Sequence, residues 1–237
     1  MKLALLNQTI LELCTKVNAD SSQKANWQFL EEDELLYEAI VCIFSSQTIF
    51  EVAIAAADRI RKKGLINPDA LFDSEKDYKE RIVGELSKSL EVEFNNKIHT
   101  IGIRFKNRLA TFLATTMKMV YGNGLTLRAI LASAHSSRHA REELIQVVWG
   151  FGPKQASLFL RRINFCSELA VLDTHILDYL KIAKGLDPKP GALSRLSVYE
   201  EVESVFTSIA QDFGYAIGSV DLATWVTMRV AKREAIL

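Results

Sequence analysis

Residues Val147 to His175 read VVWGFGPKQASLFLRRINFCSELAVLDTH, and the reading of this stretch decides the fold. A helical pattern from Arg138 to Trp149, with apolar Leu144, Val147 and Val148, stops at Gly150. A second begins near Pro153 and carries Ala156, Phe159, Leu160 and Ile163 at helical spacing. Only a few residues separate the two. Gly150 and Gly152 are free to take positive φ and to leave backbone N–H groups uncovered. Pro153 has the fixed φ of a first helical position and lacks an N–H that would be unpaired there anyway. Such a turn before a helix is a ready anion site, although an ordinary helix-to-helix turn can be spelled the same way.

Two further residues point to chemistry. Lys154 falls in the first turn of the second helix, where the positive end of the helix dipole disfavours an ammonium and favours the free amine that a nucleophile needs. Asp173 follows the apolar run Leu169 to Leu172 and opens a further helix, where the same dipole holds a carboxylate in its ionised form. Met singly, the first would be a surface lysine and the second a helix cap.

The spelling G150-F-G-P-K154 followed nineteen positions later by Asp173 in L172-D-T-H-I176 resembles the helix-hairpin-helix and following aspartate of the endonuclease III and 8-oxoguanine DNA glycosylase superfamily. The resemblance runs from about Ile40 to Trp225. It implies that Lys154 attacks the sugar C1′, that Asp173 supports the oxocarbenium-like state and the proton transfers, and that the amides of Gly150 and Gly152 grip a phosphate. It also implies that His175 donates to another phosphate; a histidine satisfied at its helix start fits as well.

Other segments add to the resemblance. Ser45-Ser46-Gln47-Thr48 interrupts the apolar helix that starts at Glu34, and resembles the S-x-Q-T element whose glutamine fills the gap left by an extruded nucleotide. Extrusion costs on the order of a few kcal/mol, which gives such a side chain a physical purpose. A capped helix start explains Gln47 equally. Ile98 to Tyr121 carries Phe105, Leu109, Phe112, Leu113 and Met117 as an apolar stripe with Arg104, Lys106 and Arg108 at its basic end. Its I-R-F-x-N-R-x-A phrasing resembles the matching helix of archaeal-type 8-oxoguanine glycosylases, and Phe105 among three cations would suit a base-stacking wall. A solvated basic helix end is the alternative. The final helix resembles the D-L-x-x-W helix of the same branch, which implies that Asp221 and Trp225, four apart on one face, meet the base. Trp225 packed in the core, with Asp221 capping or paired with Arg229 or Lys232, is the competing arrangement. Those relatives end in a lysine-tipped tail, where this chain reads Glu234-Ala-Ile-Leu237.

Composition sets the bounds. At 237 residues and 49% hydrophobic content the chain has ample material for a core, and nearly every segment repeats at three and four residues, so the expected class is all-α. With 29 basic and 29 acidic residues, any contact with nucleic acid must be local. Cys14, Cys42 and Cys166 lie too far apart for a disulfide framework or zinc site, and the four-cysteine iron-sulfur loop of many endonuclease III relatives is missing, so neither metal nor cofactor is expected. Met1 to Leu13 lacks the form of a signal peptide, and no window approaches a membrane span. The expected location is the cytoplasm, with nucleoid association when bound to DNA.

These readings imply a two-lobed all-α glycosylase fold with the active site in the cleft between lobes. Residues 34–134 would form a helical barrel lobe, and 1–33 with 135–237 the lobe carrying the hairpin. The expected activity is removal of 8-oxoguanine from double-stranded DNA by a monomer, through a lysine Schiff base with strand nicking by β-elimination. A glycosylase for oxidised pyrimidines would keep Lys154 and Asp173. A non-enzymatic helix-hairpin-helix protein would need the glycines but not that pair.

Overall fold

A computed structural model describes residues 3–20, 26–46, 48–68, 74–94, 97–189 and 191–234, with the backbone alone at 18–20, 94, 233 and 234. Gln47 and the tail residues 235–237 lie outside the described residues. Eleven α-helices and one two-stranded antiparallel sheet make up the regular structure among them. The chain divides into two compact units, residues 27–151 and residues 1–26 with 152–237.

The unit of residues 27–151 is built around α2 (Glu32–Ser45), whose run from Ala39 to Phe44 is fully buried. A helix apolar all round must be covered all round, and α3 (Phe50–Lys62), α5 (Lys106–Val120) and α6 (Leu127–Ser133) pack on it. Its first turn also serves a neighbour. The Glu32 carboxylate accepts from the Leu127 N–H at 2.6 Å and the Arg128 N–H at 3.1 Å, so it caps α6, and from the Tyr121 hydroxyl at 2.8 Å. Helix α4 (Glu75–Leu86) lies on α5. Strands β1 (Leu90–Phe94) and β2 (Lys97–Ile101) form a hairpin against α3, with Leu90 and Val92 buried and Glu91 and Glu93 exposed. In the stretch from Ile98 to Tyr121, residues 98–101 are thus strand and the helix begins at Lys106. Two alternating positions are too short a run to stand out in a sequence full of helical repeats.

Helix α7 (Ser137–Val147) belongs to this unit as well, packing on α5 and α6. The division falls at 26/27 and 151/152 instead of at 33/34 and 134/135. The reason is bonding that spans the expected boundaries. The Arg128 guanidinium donates to the carbonyls of Gln28 and Leu30, and Trp149 N–H donates to the buried Thr116 hydroxyl at 2.9 Å.

In the other unit, α1 (Leu3–Asp20) and α9 (Thr174–Lys184) pack on α11 (Ile217–Glu234), joined by α8 (Pro153–Arg162) and α10 (Leu196–Phe213). The apolar face of α1, Leu6, Ile10 and Cys14, is covered by a core that includes Leu172, Ile176, Tyr179, Phe206, Val220 and Ala223. Truncating a leucine so enclosed as Leu6 to alanine costs on the order of 2–5 kcal/mol.

Candidate active site

Helix α8 starts as its sequence demands. Gly152 is the N-cap in extended backbone with φ −114°, Pro153 is the first helical residue, and Lys154 is the second. The buried positions Ala156, Ser157, Phe159 and Leu160 set which face turns inward and leave Lys154 half-buried at the N-terminal end. Only Gly150 of the two glycines uses its freedom. Its φ is +92°, and a Cβ there would come within 2.7 Å of the Phe112 ring, so both conformation and packing exclude a side chain. Gly152 needs neither a positive φ nor an empty space.

Helix α8 closes on Asn164 in the left-handed region, φ +55°, where asparagine is tolerated. Phe165 N–H then reaches back to the Leu160 carbonyl at 2.8 Å. The chain runs on to Asp173 through Leu169, Ala170 and Leu172, all buried, and their backbone donors need partners in the absence of a sheet. Side chains supply them. Ala170 N–H donates to Glu203 at 3.0 Å, Val171 N–H to Asp221 at 2.5 Å and Leu172 N–H to the Tyr199 hydroxyl at 3.0 Å. Asp173 N–H donates to the Val171 carbonyl at 2.7 Å.

Asp173 is the N-cap of α9. A single carboxylate oxygen, Oδ1, accepts from the N–H groups of His175 at 2.8 Å and Ile176 at 3.0 Å, so Oδ2 takes no part in the cap. The residue is half-buried. An aspartate held in this way presents one free oxygen in a fixed direction at a helix N-terminus.

His175 lies beside Trp225, the ring centroids 5.9 Å apart and the planes nearly perpendicular, and the Arg229 guanidinium stands 4.8 Å from the Trp225 centroid. Burial lowers the His175 pKa against the opposing charge of Asp173, and its Nδ1 is buried with no hydrogen-bond partner. Fifty residues separate this pair in sequence.

Asp221 does not stand open as a base acceptor. It is 5% exposed, its carboxylate is engaged by Val171 N–H, and it is ion-paired with Arg161 at 3.1 Å, while Lys232 pairs with Asp178. Trp225 is partly buried and packs against the core of this unit. Phe105 belongs to the other unit, where it caps α5 in left-handed backbone, φ 58°, and is 57% exposed. The ring that Arg108 covers, at 5.2 Å, is Phe112. Lys154, Gly152, Asp173, His175, Asp221 and Trp225 thus share one unit, and Gly150 and Phe105 the other.

Arg161, Tyr199 and Glu203, which hold this segment and its partner Asp221, stand in none of the sequence motifs. A signal existed in α10: Tyr199 and Glu203 lie four apart on the face that carries Val202 and Phe206, and a glutamate on a buried face needs a partner. Among the described residues no group of His, Cys, Asp and Glu is placed to hold a metal ion, and Cys14, Cys42 and Cys166 are not joined in a disulfide. No helix among them is long and apolar enough to cross a membrane. An amine at one helix start and a one-sided carboxylate at another are suited to attack on an electrophilic carbon and to support of the positive charge that develops beside it.

The fold and the sequence of the chain are similar to those of known proteins. The fold is similar to that of the Methanocaldococcus jannaschii 8-oxoguanine glycosylase/lyase solved with a 15mer DNA containing 8-oxoguanine, with TM-score 0.70 and 22% identity over 93% of this chain and 95% of that one. It is similar also to the 8-oxoguanine DNA glycosylase of Thermotoga maritima, with TM-score 0.68 and 23% identity over 94% and 93% of the two chains. At such identity the likeness is one of fold, that of a helical DNA glycosylase. The model of the 8-oxoguanine DNA glycosylase family matches residues 72–215, more than half of the sequence, and the chain belongs to that family. A curated relative, the 8-oxoguanine DNA glycosylase/AP lyase of Korarchaeum cryptofilum, is 36% identical over 135 residues, which is 57% of this chain and 62% of that protein. The match thus spans about three fifths of the relative's length.

Proposed function

We propose that the protein is a bifunctional DNA glycosylase and AP lyase that removes 8-oxoguanine from duplex DNA. The observation that carries the proposal is the pairing of Lys154 at the start of α8 with Asp173 at the cap of α9 in one unit of a chain that belongs to this family. The free amine of Lys154 attacks C1′ of the damaged nucleotide. The C1′–N9 bond breaks, its electron pair leaving with the base, which takes up a proton. The free oxygen of Asp173 supports the positive charge on the sugar during this step. The C1′–O4′ bond then opens, O4′ keeping the pair and gaining the proton that the attacking nitrogen loses, and an iminium joins Lys154 to C1′. Loss of a proton from C2′ expels the 3′-phosphate and nicks the strand.

Backbone N–H groups at Gly150 and at the start of α8 hold phosphates and set position without reading sequence, and His175 contributes a further phosphate contact. Gln47 fills the space left by the extruded nucleotide. The protein acts as a monomer in the cytoplasm, on the nucleoid when bound to DNA, and uses only its own amine and carboxylate.

The test is incubation with duplexes carrying 8-oxoguanine, thymine glycol or uracil, in the presence and absence of borohydride. Excision of 8-oxoguanine with a trapped protein–DNA adduct that disappears in Lys154→Gln is the expected result. Excision confined to thymine glycol would make the protein an oxidised-pyrimidine glycosylase, and binding without excision or adduct would make it a non-enzymatic DNA-binding protein.

A further inference from the structure

The segment that delivers Asp173 is held by a buried hydroxyl on α10. Tyr199 on α10 is fully buried. Its hydroxyl donates to the Ala170 carbonyl at 2.8 Å and accepts from the Leu172 N–H at 3.0 Å. One oxygen atom therefore ties together the peptide groups on either side of Val171, the second of them in the residue next to Asp173.

Glu203 and Asp221 complete the hold by taking the N–H groups of Ala170 and Val171, so three successive donors end on three buried side chains from α10 and α11. Arg161, two helical turns beyond Lys154 on α8, is ion-paired with Asp221 and donates to the Gly218 carbonyl at 2.6 Å. No secondary structure of its own holds residues 169–172. Their path, and with it the direction of the Asp173 carboxylate, depends on these side chains.

We propose that Tyr199, assisted by Glu203 and Asp221, is a positioning residue for the reaction, setting the Asp173 carboxylate relative to the Lys154 amine without touching DNA. This rests on the glycosylase reading above and adds to it a group that acts only through Asp173. The proximity required of reacting groups is strict, and a displacement of about 1 Å can cost on the order of 100-fold in rate. Removing the Tyr199 hydroxyl leaves the Leu172 N–H and the Ala170 carbonyl unpaired in the interior, a penalty that the segment relieves by shifting.

The test is single-turnover excision of 8-oxoguanine by the wild-type chain, Tyr199→Phe, Asp173→Asn and the double variant. It is run well below each variant's melting temperature, with DNA affinity measured in parallel. In the wild-type background Tyr199→Phe is expected to lower the rate about tenfold or more with affinity within about twofold. In the Asp173→Asn background the same substitution is expected to cost nothing further, because a residue that acts through a group has no effect once that group is gone. A rate unchanged by Tyr199→Phe, or lowered equally in both backgrounds, overturns the inference and leaves the hydroxyl a structural bond. Should Tyr199→Phe fail to fold, Glu203→Met, which removes the acceptor of the Ala170 N–H, is carried through the same cycle, with the same two outcomes deciding. A wild-type chain inert on 8-oxoguanine overturns the proposed activity and the inference with it, whereas an active wild-type chain with an equally active Tyr199→Phe overturns the inference alone.

Discussion

The carboxylate of Asp221 lies 3.1 Å from a guanidinium nitrogen of Arg161, which joins the first turns of α11 to the end of α8. Burial nevertheless dominates its titration. It pushes the Asp221 carboxyl from an ordinary 3.8 up to about 6, against the opposing effects of Arg161 and the Val171 N–H and with help from the charge of Asp173. The folded state therefore holds this proton more tightly than the unfolded chain. The stability it contributes is complete below about pH 4 and is lost as pH rises through about 6. An offset of about 2 pH units corresponds to ~3 kcal/mol. Paired urea titrations should show wild-type stability, measured relative to Asp221→Asn, falling by ~3 kcal/mol between pH 4 and 7.5. A difference that instead grows with pH would mean that Arg161 outweighs burial. In the same variant the preference for 8-oxoguanine over guanine should be unchanged, since the side chain is enclosed by protein.

Asp173→Asn should keep the fold, because an asparagine oxygen can accept from the His175 and Ile176 N–H groups as Oδ1 does. Its stability should stay within about 1 kcal/mol of the wild type, while single-turnover excision slows by on the order of 100-fold or more through loss of the charge. Near-normal excision would reduce Asp173 to a helix cap.

Gly150 and Gly152 should respond differently to alanine. At Gly150 the backbone is left-handed and the added methyl meets the Phe112 ring at 2.7 Å, so Gly150→Ala should cost on the order of 1–3 kcal/mol in denaturant unfolding. Gly152 has φ −114° and its nearest neighbour, the Gln155 side-chain oxygen, is 3.9 Å from a built Cβ, so Gly152→Ala should cost less than about 1 kcal/mol. Equal losses would refute the assignment of the turn's constraint to Gly150.

His175 is held toward its neutral form by burial, so at pH 7.5 a phosphate contact from it is a neutral hydrogen bond that releases no counterion. Affinity of His175→Gln for duplex DNA, followed across salt concentration, should fall on a line parallel to that of the wild type. A slope smaller by about 1 would identify an imidazolium paired with a phosphate.

Much was legible along the chain because it is local. Helix periods, the Pro153 start of α8 and the cap at Asp173 are set by neighbours within a turn, and the G-F-G-P-K and L-D-T-H spellings carry the family with them. The apolar face of α1 likewise announced that it needed a cover, although not that α11 would provide it. Tertiary structure alone decided the rest. The alternation in Leu90 to Ile101 became a hairpin because α3 buries Leu90 and Val92, and α7 joined residues 27–151 because α5 and α6 cover it. Asp221 and Trp225 share a spacing that promised one face toward a ligand. Yet Arg161 and Val171, 60 and 50 positions earlier in the chain, claim the carboxylate, while His175 meets the indole. Side chains that satisfy backbone donors across such distances leave no periodic trace, because burial and partner are properties of the packed core; Tyr199 at its hydrogen-bonded node could be found only there.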